Sequence, residues 1–72
     1  MAKIVGRGML APYSCDITLS EPTSVCSLPE LLGLPEQYHE EIIAVRGNQV
    51  LSRDDTFENG NTILVFVAVM GG

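Results

Sequence analysis

Basic side chains are scarce in this chain: Lys and Arg number 4 against 9 Asp and Glu, for a formal net charge of −5. A nucleic-acid partner requires a basic face against its phosphates, so that class is not expected. Lys3 is the only lysine and His39 the only histidine. Cysteine is equally sparse, with Cys15 and Cys26 alone. No disulfide framework is expected, and both thiols are read as reduced. With His39 they offer too few ligands, at spacings unlike a zinc pattern, so no metal and no bound cofactor are expected. Long apolar runs are missing as well. The longest, Ile63 to Met70, is strand-sized and far short of a membrane span. Met1 to Arg7 lacks a signal-peptide core, so the expected location is cytoplasmic, with no membrane contact. No repeat or linker divides the 72 residues, which read as one domain over 1–72.

Charge is concentrated in two places, Glu36, Glu40 and Glu41 and then Asp54, Asp55 and Glu58. Such clusters are commonly solvated loops, and they also fit a basic partner. The second imitates a catalytic carboxylate pair but stands in a polar loop. His39 lies among acids with no nucleophile implied beside it, and reads as a surface histidine. No enzyme site is expected.

Periodicity supplies the elements. Residues 2–10 read as a first strand, with Gly6 and Gly8 marking a bulge or a close backbone approach. Gly6-Arg7-Gly8 is no phosphate loop, because no helix is expected after it. Tyr13 to Ser20 alternates, with Cys15, Ile17 and Leu19 toward the core, as the second arm of a hairpin. A helix follows from about residue 25 to Gly33, with a disturbed first turn. Ser24 as cap would place Val25, Leu28, Leu31 and Leu32 on one face. Ser27-Leu28-Pro29-Glu30 as capping box would place Pro29 safely in the first turn. Cys26 falls at the helix start and is read as structural. Ile42 to Arg46 and Gln49 to Leu51 are strands around a Gly47-Asn48 hairpin turn. Residues 52–61 read as loop, ending in the Asn59-Gly60 turn.

Ile63 to Val69 is the last strand, apolar on both faces, and belongs at the sheet centre beside the first strand and parallel to it. The order ββαβββ, with one helix packed on one face of a mixed sheet, is an α+β fold of β-grasp architecture. If the last strand alternates, Ile63, Val65 and Val67 face the helix and Leu64, Phe66 and Ala68 the open side. On the neighbouring strand Ile43 and Val45 would point inward and Ile42 and Ala44 outward. Phe66, Leu64, Ala68, Ile42 and Ala44, with Met70 beyond them, are therefore expected to form a partner-binding patch.

The strand then runs into Gly71-Gly72. Without a Cβ these residues adopt almost any backbone angle and pass through a narrow channel, and a carboxylate so presented is a candidate reactive group. A frayed terminus is the plainer reading of the same feature.

The chain resembles the ThiS/MoaD family of ubiquitin-like sulfur carrier proteins. The resemblance rests on Ser24-Val25-Cys26-Ser27-Leu28-Pro29-Glu30-Leu31-Leu32-Gly33-Leu34 for the helix and Ala44-Val45-Arg46-Gly47-Asn48-Gln49-Val50-Leu51 for the hairpin. Asn59-Gly60-Asn61-Thr62-Ile63 and the closing Gly71-Gly72 complete it. Pro29 occupies a helix-interior position, and Asn59 and Asn61 stand where the family has aspartates. The resemblance implies a β-grasp domain with a flexible tail over about 68–72. It further implies that an E1-like adenylyltransferase consumes ATP to adenylate the Gly72 carboxylate. Sulfur then replaces AMP, and the thiocarboxylate serves a sulfurtransferase or synthase subunit in cofactor biosynthesis. Thiamine thiazole is the favoured product, with molybdopterin and tRNA thiolation as the others. The alternatives are a ubiquitin-like modifier joined to lysines through Gly72, and a β-grasp interaction module with no reactive end.

Overall fold

In chain order the strands are β1 (Ala2–Gly6), β2 (Cys15–Ile17), β3 (Thr23–Ser24), β4 (Ile42–Arg46), β5 (Gln49–Leu51), β6 (Thr56–Phe57) and β7 (Thr62–Val67). The α-helix, α1 (Leu28–Leu32), lies between β3 and β4. The structure is a computed structural model and describes residues 1–68; Met70, Gly71 and Gly72 of the expected site lie outside the described residues.

The apolar run near the end of the chain takes the middle of the sheet. β7 pairs with β1 in parallel and with β4 in antiparallel, and the five-stranded order is β2-β1-β7-β4-β5. A strand hydrogen-bonded on both sides is well served by a nearly unbroken apolar sequence. Among the described residues the fold is α+β, with a mixed sheet and one α-helix. Ala2, Ile4, Ile63, Val65, Ala44 and Leu51 supply the sheet side of the core. Val25, Leu28 and Leu34 meet them from the helical segment, with Leu10 and Phe57 filling the ends.

The helical segment spans the expected stretch, and its disturbed first turn is a 3₁₀ turn. In that turn, Val25–Ser27, the Leu28 N–H donates to the Val25 carbonyl, and α1 begins only at Leu28. Pro29 has no N–H to donate, so an α-helical ladder cannot run through this point from upstream. Neither Ser24 nor Ser27 makes a side-chain capping bond, and the capping box is not formed. Pro29 itself sits in the first turn of α1 and is buried. The C-terminal stop at Gly33 has φ 69°, with Gly33 N–H donating to the Glu30 carbonyl (3.2 Å) and Leu34 N–H to that of Pro29 (2.9 Å). This is a Schellman closure, which favours glycine. Val25 and Leu28 are buried, but Leu31 is exposed: five helical residues are too few to turn the whole expected stripe inward.

Three other expectations need correction. The first hairpin is cut short by a 3₁₀ segment, Gly8–Tyr13, so a helical turn, though no α-helix, does follow Gly6-Arg7-Gly8. The segment folds back on β1 at Gly6, where a Cβ would lie 1.8 Å from the Leu10 carbonyl oxygen. Ser14 Oγ completes the corner, accepting the Gly6 N–H and donating to the Ala11 carbonyl, both at 2.9 Å. Cys15 lies opposite Ile4 in register, yet it is exposed, because it sits on the edge strand rather than among the core residues. Finally, residues 52–61 are not all loop: β6 pairs with β3 in a separate two-stranded sheet and brings Phe57 to 1% exposure. A two-residue strand between Asp54-Asp55 and Asn59-Gly60 is too short to show a period.

Among the described residues, no helix is long and apolar enough to cross a membrane.

Candidate docking face

The side of the sheet opposite the core is apolar, and cross-strand register defines it. Val5 lies opposite Leu64, Leu64 opposite Val45, and Val45 opposite Val50, one row across four strands. One step nearer the end of β7, Phe66 lies opposite Ile43. One step nearer its start the row is polar: Asp16 opposite Lys3 and Lys3 opposite Thr62. Polarity therefore falls along β7 toward the end from which residues 69–72 continue.

Leu64 and Phe66 stand where the alternation of β7 places them, half-buried on this open face. Ile42 and Ala44 do not. They pair with Val67 and Val65 and share the core side, where Ala44 is 1% exposed and Ile42 packs against the core. Ile43 and Val45 occupy the open face instead. A one-residue difference in register inverts a strand completely, and Ile42-Ile43-Ala44-Val45 carries no polar residue to mark the solvent side. Val5 and Val50 also belong to the face and were not recognised in the sequence; Val50 is 65% exposed. Their signal is the cross-strand row, which no single strand displays. Met9, 51% exposed, joins Arg7, Gly8, Phe66 and Val67 around an open groove of about 340 Å³.

Ala68 is the last described residue. Its N–H donates to the Glu41 carbonyl at 2.8 Å, extending the β4–β7 pairing by one bond. The last described residue is thereby held beside the acidic segment, which contains a 3₁₀ turn, Glu36–Tyr38. His39 is half-buried rather than a plain surface residue, and its Nε2 lies 2.9 Å from the Leu34 carbonyl oxygen. A carbonyl only accepts, so Nε2 carries the proton and the ring ties the acidic segment to the end of α1. Arg53 lines the same open hollow as His39, Glu36, Glu40 and Glu41.

Two further polar side chains make local contacts. Asp55 Oδ2 accepts the Ser52 N–H at 2.8 Å, and Cys26, exposed, has its sulfur 3.1 Å from Ser24 Oγ. Among the described residues no three His, Cys, Asp or Glu side chains come together as metal ligands.

Asn59 and Asn61 differ in what their side chains do. Asn59 Oδ1 accepts the Leu19 N–H at 2.9 Å while its Nδ2 donates to the Leu19 carbonyl at 2.7 Å. Only an amide can do both. Asn61 Oδ1 acts as an acceptor, from the Glu58 N–H at 2.9 Å and from Arg46 at 3.4 Å. Asn59→Asp is therefore expected to cost about 1 kcal/mol in urea unfolding, the scale of one hydrogen bond. Asn61→Asp should stay within about 0.5 kcal/mol of the parent. Equal losses in the two variants would contradict this assignment.

No family model and no curated protein matches the chain.

Proposed function

We propose that this chain is a β-grasp sulfur carrier whose Gly72 carboxylate is activated by an E1-like adenylyltransferase. The observation that carries the reading is the position of β7. It is the central strand, parallel to β1, and it leads through Ala68 toward Gly71-Gly72 past the apolar end of the open face. The strand order β2-β1-β7-β4-β5 with one helix is compatible with a β-grasp.

In this reading the chain is a substrate and the partner supplies catalysis. A Gly72 carboxylate oxygen attacks the α-phosphorus of ATP, and pyrophosphate leaves. A persulfide held by the partner then attacks the acyl carbon and AMP departs, leaving an acyl disulfide. A second thiolate of the partner attacks the partner's own sulfur in that S–S bond, so that a disulfide forms on the partner and the thiocarboxylate leaves. Glycine at the last two positions lets the reacting carbonyl enter a slot that a Cβ would obstruct. The acidic segment beside Ala68 favours a partner with a basic rim, because opposite charges speed and orient encounter. Thiamine thiazole synthesis is the favoured recipient, and a sulfurtransferase or synthase subunit takes the sulfur onward.

The test is ATP–pyrophosphate exchange by an E1-like enzyme of the same host, with and without this chain. Chain-dependent exchange is the expected result, and exchange indifferent to the chain would sink the reading. The docking face makes a second prediction. Phe66→Ala should weaken binding to that enzyme by about 2 kcal/mol, roughly thirtyfold, as for a central aromatic anchor. Ile42→Ala, on the core side, should lower stability while leaving the affinity of the folded protein within about threefold, measured by calorimetric titration. The opposite ranking would place the interface elsewhere.

A further inference from the structure

We propose that Asn59 is a site of spontaneous deamidation, which the folded chain suppresses and which, once it has occurred, loosens the joint between Leu19 and the turn before β7. The inference is independent of the sulfur-carrier reading. Asn59 is followed by Gly60, which has no side chain to hinder approach of its backbone nitrogen to the Asn59 side-chain carbon. In the reaction the Gly60 nitrogen gives up its proton and attacks Asn59 Cγ. A cyclic succinimide forms, and Nδ2 takes up a proton and leaves as ammonia. Water then adds to one of the two ring carbonyls and opens the ring to aspartate or isoaspartate. One water is consumed and one ammonia released, with no change of oxidation state.

Every reacting group is held in the folded chain. The Gly60 N–H donates to the Met1 carbonyl at 2.9 Å, and Gly60 sits at φ 94°. The Asn59 amide is held at both ends by Leu19, through the bonds at 2.9 and 2.7 Å. Attack requires the Gly60 nitrogen to leave Met1 and the side chain to leave Leu19. The reaction therefore proceeds from a locally opened state, whose population is set by the opening free energy. Asn48 and Asn61 precede Gln49 and Thr62, whose side chains hinder the same attack.

The product cannot restore the joint. A carboxylate at residue 59 still accepts from the Leu19 N–H but offers no donor to the Leu19 carbonyl. Isoaspartate also lengthens the backbone within the turn. The change lies in the turn before β7, whereas residues 69–72 follow its end.

The experiment is timed incubation of the full chain at mildly alkaline pH, in native buffer and in urea, followed by peptide mapping by mass spectrometry. The amide-to-acid mass increase should map to Asn59 and accumulate at least about tenfold more slowly in native buffer than in urea. A chain beginning at Ala2, which lacks the Met1 carbonyl, should be modified severalfold faster than the full chain in native buffer and at the same rate in urea. Asn59→Gln, which would need a larger ring, should remove the signal. Equal rates in native buffer and urea, an unchanged native rate without Met1, or a mass increase mapping to Asn48 or Asn61 would each overturn the proposal.

Discussion

Deleting Gly72 lowers chain-dependent ATP–pyrophosphate exchange by the E1-like partner more than about 100-fold, the cost of misplacing a reacting group by even a small distance. One residue of extended chain spans about 3.3–3.6 Å, so the shortened terminus ends that far from the α-phosphate. The loss should be chemical rather than structural: Gly72 has no side chain to pack, the core residues among those described lie at or before Val67, and the urea midpoint should match that of the parent. Gly72→Ala keeps the carboxylate in reach and adds only a methyl group, so it isolates the need for a narrow slot. It should also lose exchange, with an intermediate deficit. A truncated chain that retained full exchange would remove both the sulfur-carrier and the modifier readings.

The largest expected effect on stability belongs to Gly6→Ala. The new Cβ would stand 1.8 Å from the Leu10 carbonyl oxygen and 2.5 Å from its carbon, both backbone atoms. No rotamer relieves such a contact; β1 or the Gly8–Tyr13 turn must move. That motion would pull on the Gly6 N–H bond to Ser14 Oγ and on Leu10, which is 0% exposed. A loss of about 3 kcal/mol or more is expected, the upper end for overpacking. Against a total of roughly 4 to 11 kcal/mol for a domain this small, that leaves a large unfolded fraction at moderate urea. Gly8→Ala is the comparison, because open space surrounds its Cβ position and only its φ of 57° opposes the change. It should cost about 1 kcal/mol, the scale of a left-handed backbone penalty. Equal destabilisation of the two variants, by urea melts, would deny the close approach its role.

The contrast between Gly6 and the docking face shows what could be read in the residues. A glycine inside an apolar strand needs a reason, and of the two open for Gly6 and Gly8, a bulge or a close approach, the structure shows the close approach at Gly6 alone. The central place of β7 beside a parallel β1 was legible because an unbroken apolar run fits few other positions. The bounds of β4 and β5 were legible from the Gly47-Asn48 turn between them, where Gly47 takes φ 64°. The faces of β4 were not. Both its faces are apolar, and only pairing with β7 decides that Ile43 and Val45 look outward and Ile42 and Ala44 inward. The exposed edge position of Cys15 was hidden for a related reason. Alternation identifies a face, while cover depends on where the strand lies in the sheet. Phe57 and the β3–β6 pair depend on contacts between segments about thirty residues apart, which no local window contains. The proposed reactive end rests on chemistry alone, the Gly71-Gly72 sequence.

The central claim is tested most directly by intact-mass spectrometry of the chain isolated from its own host. The expected result is a fraction of molecules ending at Gly72 whose mass is raised by exchange of one carboxylate oxygen for sulfur, with a terminal-peptide spectrum that places the sulfur on Gly72. That fraction should vanish when the E1-like enzyme is absent. A chain found only with an unmodified carboxylate while its E1-like enzyme is active, or found joined through Gly72 to lysines of other proteins and never as the thiocarboxylate, would contradict it.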